Sequence, residues 1–174
     1  MSRIHRSQMA MILKWRPILL VGLVVGFVLL SGARPAQAED VIITVDRTDD
    51  DNSAEAQACS EAYNDCSLRG AISLANSDIY NTYTIMLPSG TYTLNLMNGE
   101  GSEDENYTGD LDIKTSMTIQ GTGETEVVIG TTEGLNDRVI HIFQPGASGV
   151  GNAGDMAVNI SGVSILSGNT PQSG

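Results

Sequence analysis

Basic residues are scarce where a globular body would carry them, and acidic residues are missing where a leader would begin. Residues 1–38 contain no Asp or Glu, and beyond them only Arg47, Arg69, Lys114 and Arg138 are basic. Those four face all 21 acidic residues, so the chain after residue 38 has a net charge of −17, against −12 for the whole. A body so short of cations lacks the footprint of a nucleic-acid-binding protein and is repelled by anionic headgroups. Aromatics reach only 5% while glycine occurs 19 times, a balance that disfavours a large helical bundle and favours turn-rich β structure. At 41% hydrophobic, the 174 residues can still build a core for one domain or for part of a larger one.

The acid-free start has three parts. Met1–Arg16 is basic and polar, Pro17–Ala33 is an unbroken apolar run, and Ala36-Gln37-Ala38 puts small residues where a signal peptidase reads. This is the layout of a secretory signal peptide cut after Ala38. The competing reading is a retained anchor, because the 17-residue run lies at the lower edge of the roughly 17–25 needed to span a bilayer. Leu30-Ser31-Gly32 opens like a lipoprotein signal, but Ala33 follows it in place of Cys. Export would place the chain where disulfides persist.

The two cysteines fit that compartment. Cys59 and Cys66, with six residues between them, are an even pair in an exported chain and predict a structural bridge. A metal site would need further Cys or His, and a redox pair would be spaced C-x-x-C.

Three domain-like segments follow from the pattern: the signal at 1–38, a strand, cysteine loop and short helix at 39–81, and strand-rich chain at 82–174. Val41–Val45 is a β-branched strand. Leu68, Ala71, Ile72 and Ala75 recur at helical spacing, with Cys66 or Ser67 to begin the helix and Asn76 to end it. Later strands are expected at 83–87, 90–94, 111–113, 117–121, 126–130, 138–143 and 158–165. Ser116–Gly121 and Ala157–Gly162 echo each other, and each is followed by another short apolar strand. That weak repeat favours an all-β parallel solenoid over a sandwich.

Cys66-Ser67-Leu68-Arg69-Gly70-Ala71-Ile72, followed by Ala75-Asn76, resembles the C-S-L-R-E-A-I…A-N motif of many secreted bacterial proteins. The resemblance continues through Ile85–Leu94, Gly109–Ile113, Thr118–Gly121 and Val158–Gly168, so it spans nearly all of the chain after the signal. It implies export and a right-handed parallel β-helix of the pectate-lyase-like type, with the helix around residues 67–76 capping its N-terminal end. Gly70 stands where the motif usually has Glu. That departure predicts a weaker helix cap and loosens any role carried over to Arg69.

Few residues suit catalysis. Lyases of that fold pair Arg or Lys with calcium-binding carboxylates, and the four basic residues form no such constellation. Glycoside hydrolysis needs two carboxylates on one surface. Asp110 and Asp112 are two apart and would point the same way along a strand, about 6–7 Å from each other; the plainer reading makes both solvated turn residues. Asp49, Asp50 and Asp51, and Glu103, Asp104 and Glu105 within Glu100–Asn106, concentrate the hard oxygen donors of a Ca²⁺ site. Neither stretch has EF-hand spacing, and a charged surface loop explains both equally well. No other cofactor is expected.

The chain stops at Gly168–Gly174 just after a strand, without the polar cap that stacked coils need, so it reads as a piece of a longer β-helix. The expected function is a secreted or cell-surface binding or structural module contacting polysaccharide or other cell-surface components. The partners include no nucleic acid, and a membrane only through an uncleaved signal segment. The alternative is the N-terminal part of a polysaccharide-degrading lyase or glycoside hydrolase with its active site mostly beyond residue 174. Export with cleavage predicts a mature chain beginning at Glu39. N-terminal sequencing of the exported material checks this, and a membrane-bound product still starting at Met1 would establish the anchor.

Overall fold

The computed structural model describes residues 39–97, 103–122, 125–135, 137–143 and 156–168. The expected signal segment at 1–38 and residues 98–102 lie outside the described residues. Among the described residues nine short strands and one helix follow in order: β1 (Asp40–Thr44), α1 (Leu68–Ser77), β2 (Thr82–Leu87), β3 (Gly90–Leu94), β4 (Leu111–Ile113), β5 (Met117–Gly121), β6 (Val127–Thr131), β7 (Ile140–Ile142), β8 (Val158–Ser161) and β9 (Ser164–Leu166). They pair as β1-β2-β5-β8, β3-β6-β9 and β4-β7, and every pairing is parallel. Parallel partners need a long crossover between them; β3 and β4 lie on the one that leads from β2 to β5.

Side-chain alternation sets the register. Along β2, Tyr83, Ile85 and Leu87 are buried and the residues between them are not. Across the largest sheet Ile43, Ile85, Ile119 and Ile160 stand opposite one another, so one aliphatic row runs through all four strands. A second row is Val41, Tyr83, Met117 and Val158. A register slip of one residue would turn both rows outward, which is why the pairing is strongly specified. The two echoing sequence segments are in fact β5 and β8, paired residue for residue. Because β1 is a strand of this sheet, the segment 39–81 shares its framework with the chain that follows.

The expected all-β, right-handed parallel β-helix with a merely capping helix is therefore corrected. The strands form separate sheets of four, three and two, and α1 contributes to the core itself. Leu68, Ala71, Ile72 and Ala75 are all buried in the same apolar cluster as β2, β4 and β5, and α1 packs against β2 and β4. An echo between two strands records that they pair. It does not say whether pairing continues around the intervening turns.

Boundaries differ from expectation for local reasons. The helix ends at Ser77, one residue beyond Asn76. The expected single strand at 158–165 is two, β8 and β9, divided at Gly162 with its φ of +67°. A side chain there would be strained, and its Cβ would lie 2.7 Å from the Gly121 carbonyl oxygen. The Cys59–Cys66 bridge is formed, closing its small loop with a Cα–Cα distance of 4.3 Å.

Ser67 caps α1 without the missing acid. Its Oγ accepts from the Gly70 N–H at 2.8 Å and donates to the Asp51 carbonyl at 2.7 Å. Gly70 has its own reason. A Cβ on it would lie 2.0 Å from the Ala56 carbonyl oxygen, which is itself held by the Ser67 N–H at 2.9 Å. Restoring the motif's usual residue with Gly70→Glu should lower stability by about 1–3 kcal/mol, an overpacking cost. Gly70→Ala should lose nearly as much, since the clash begins at Cβ. Urea unfolding measures both, and an alanine variant as stable as the parent would disprove the contact.

Candidate functional site

Arg69, in the first turn of α1, carries a fully buried charge. Its side chain and that of Asp50 are both inaccessible to solvent, joined through Nε at 2.6 Å and Nη2 at 3.1 Å. The remaining donors reach the carbonyls of Thr108 at 3.3 Å, Gly109 at 2.7 Å and Asp110 at 2.9 Å. Asp50 also accepts from the Asn95 and Leu96 N–H groups at 2.8 and 3.0 Å. One ion pair thus ties together the acidic turn after β1, the exit of β3 and the approach to β4. The departure at Gly70 leaves Arg69 with a specific role after all.

That approach leads into the paired strands β4 and β7. Asp110 and Asp112 flank Leu111, and both are buried, at 2% and 0% exposure, so their expected solvation is corrected. The reason is the chain before β4, which packs back over them. Asn106 is wholly buried with φ +63°; its backbone N–H donates to Asp112 Oδ2 at 3.1 Å and its side-chain oxygen accepts from the Asp112 N–H at 3.1 Å. Its amide nitrogen donates to the Arg69 carbonyl at 2.9 Å and to Ser73 at 2.8 Å, anchoring the turn to α1. From the far end of the helix, Asn76 donates to the Asp112 carbonyl at 2.7 Å and accepts from the Lys114 N–H at 2.9 Å.

Asp110 has a cation and Asp112 does not. Arg138 Nε donates to Asp110 Oδ2 at 2.8 Å. Burial nevertheless raises the Asp110 pKa, helped by the charge of Asp137 and opposed by Arg138. Burial also pushes Asp112 up to about 7, with the Asp110 charge as the next cause. Asp112 Oδ1 is buried without a hydrogen-bond partner. Opposite it in the β4–β7 register stands His141, whose Nδ1 is 3.3 Å from that oxygen. The exposed carboxylate of Asp104 completes a trio: one donor atom each from Asp104, Asp112 and His141 lie within 4.8 Å of one another. The His141 ring packs on Phe143, 4.1 Å between centroids, and Lys114 Nζ lies 5.4 Å from the Phe143 ring centre.

The other acidic candidates are committed elsewhere. Arg47 binds both Asp49 and Asp51, and Asp51 also accepts from the Ser53 N–H at 2.7 Å. The Arg47 hydrogen bond holds Asp49 below the usual carboxylate range, and the Ser53 backbone does the same for Asp51. Glu103 accepts from the backbone of Glu105 and Thr108, and Glu105 pairs with Lys114 at 2.7 Å. Of the six proposed calcium ligands, only Asp104 reaches the trio. His141 was not picked out from sequence. The available signal was the shared apolar-polar-apolar pattern of Leu111-Asp112-Ile113 and Ile140-His141-Ile142, the very residues that pair.

Two surface features remain. An open hollow of about 370 Å³ is lined by Arg138, Val139, Ile140, Ile165 and Gly168. Tyr63, Tyr80 and Tyr107 present exposed rings. Among the described residues no helix is long and apolar enough to cross a membrane. Comparison with protein-family models, curated proteins and solved structures gives no match to this chain.

Replacing Arg69 by Met should cost about 3–5 kcal/mol, because a buried carboxylate and three carbonyls lose their donor. Asp49→Asn, at an exposed pair, should cost under about 1 kcal/mol. Urea unfolding of the two variants checks the contrast, and equal losses would refute the central role of the Arg69 pair.

Proposed function

We propose that the chain is an exported surface or extracellular binding module that contacts carbohydrate or other cell-surface material. The observation that favours binding over hydrolysis is the burial of Asp110 and Asp112. A glycosidase acid and its partner must both reach a sugar in an open cleft, whereas these carboxylates point into a network closed by Asn106 and Arg138. The surface offers groups that sugar binding uses: separate exposed tyrosine rings, each with an apolar face and a polar tip, and a hollow with a single guanidinium on an aliphatic floor. Support for export comes from the signal-like first 38 residues and from the likeness of Cys66–Ile72 to the motif of secreted bacterial proteins.

The rival is a polysaccharide-degrading enzyme. Affinity electrophoresis of the chain through gels containing neutral and acidic polysaccharides separates the two, run beside an assay for newly formed chain ends. Retardation by at least one polysaccharide, without new ends, is expected. New reducing or unsaturated ends would overturn the reading in favour of the enzyme, and no retardation by any polysaccharide would remove carbohydrate as the ligand.

A further inference from the structure

We propose that Asp104, Asp112 and His141 bind one divalent transition-metal ion. Clustered acids alone would not support a site, because exposed carboxylates commonly gather without one. The decisive feature is Asp112 Oδ1: fully buried, unpartnered, and aimed at the other two groups. Leaving a buried carboxylate oxygen unmet is expensive, and His141 Nδ1, 3.3 Å away on β7, meets it only when that nitrogen carries a proton. Its sister oxygen is already held by the Asn106 N–H at 3.1 Å, which fixes the carboxylate's orientation as outer-shell partners of metal ligands do.

The surrounding charges point the same way. Asp110 and Asp137 both lie against the Arg138 guanidinium, whose Nε is occupied by Asp110, while Asp104 and Asp112 gather at the neighbouring His141. The Arg138 Nη2 atom lies 3.3 Å from His141 Nδ1, as does Asp112 Oδ1. One ring nitrogen cannot accept from the guanidinium and donate to the carboxylate at once. When Nδ1 is bare and accepts from the guanidinium, the buried Asp112 oxygen is left unmet. A dication between Asp112, Asp104 and the imidazole removes that conflict, and the Arg138 side chain, 40% exposed, is free to turn its remaining nitrogen to water.

The donor set selects the class of ion. Two carboxylates and one imidazole suit the borderline ions, of which Zn²⁺ is typical, with water completing the shell. Ca²⁺ takes six to eight oxygens and has little use for an imidazole. A 4.8 Å spread closes around an ion with bonds of about 2.0–2.2 Å by small movements, and exposed Asp104 can supply them. This site differs from the acidic-loop calcium sites expected from sequence, and it does not depend on carbohydrate binding.

The test uses the full chain, stripped with chelator, in a His5→Ala background so that His141 is the remaining histidine. Zn²⁺ is titrated by competition with a chromophoric chelator, with Ca²⁺ in parallel, and Co²⁺ is added to read the visible spectrum of its ligand field. Expected are one Zn²⁺ per chain, at least about a tenfold weaker affinity in both Asp104→Ala and His141→Ala, and a Co²⁺ band lost in His141→Ala. Both variants alter accessible side chains, and matching melting temperatures in chelator would show that they fold like the parent. No stoichiometric Zn²⁺, unchanged affinity in both variants, or Ca²⁺ binding as tight as Zn²⁺ would overturn the proposal.

Discussion

A guanidinium shut off from water must satisfy its donors within the protein, and Arg69 does so by reaching from its helix to two other segments, with Asp50 bringing in a third. It grips Asp50 and three successive carbonyls, while Asp50 takes two backbone N–H groups at the exit of β3. Hydrophobic rows give the sheets their register, but those rows carry no information about where the polar connections lie. The Arg69 pair supplies it. Such a pair adds little net stability compared with an apolar substitute, yet removing one partner is severe, so its main effect is to make one arrangement of these loops far better than any other.

The chain entering β4 inherits its position from that arrangement. With Thr108, Gly109 and Asp110 held by Arg69, the preceding turn folds back so that Asn106 is buried between α1 and β4. Asn76 then binds the β4 backbone from the other end of the helix. Between them the two asparagines act as substitute strand partners for Asp112, which sets this carboxylate in the interior facing His141. The candidate site is thus a by-product of how the helix docks: the Asn106 N–H in the covering turn takes up one carboxylate oxygen and leaves the other, still buried, turned toward His141 on β7.

Much of the local structure could be read directly. The β-branched run at 41–45, the alternation in β2 and β3, and the spacing of Leu68, Ala71, Ile72 and Ala75 each name their element, because apolar periodicity depends only on neighbours along the chain. The cysteine pair was legible from count and spacing. Architecture was less so. The likeness of 116–121 to 157–162 correctly marks two strands that pair, but the division into separate sheets of four, three and two depends on where turns interrupt the hydrogen-bond ladders. Gly162 is an example: read as strand from its apolar neighbours, it breaks the run because of its backbone angle and its close approach to Gly121.

By itself the sequence determined the acid-free first 38 residues, the strongly acidic remainder, the helix face, most strand positions and the cysteine bridge, since each follows from composition or short-range pattern. Tertiary structure alone decided which acids matter. Asp49, Asp50, Asp51, Glu103, Asp104, Glu105, Asp110 and Asp112 are equivalent as letters. Folding gives Asp50 to Arg69, Asp49 and Asp51 to Arg47, Glu105 to Lys114 and Asp110 to Arg138, and leaves Asp112 with a bare oxygen opposite a histidine 29 positions away. The function of a carboxylate depends on its burial and on the partner within about 3 Å, and both come from distant chain segments brought together.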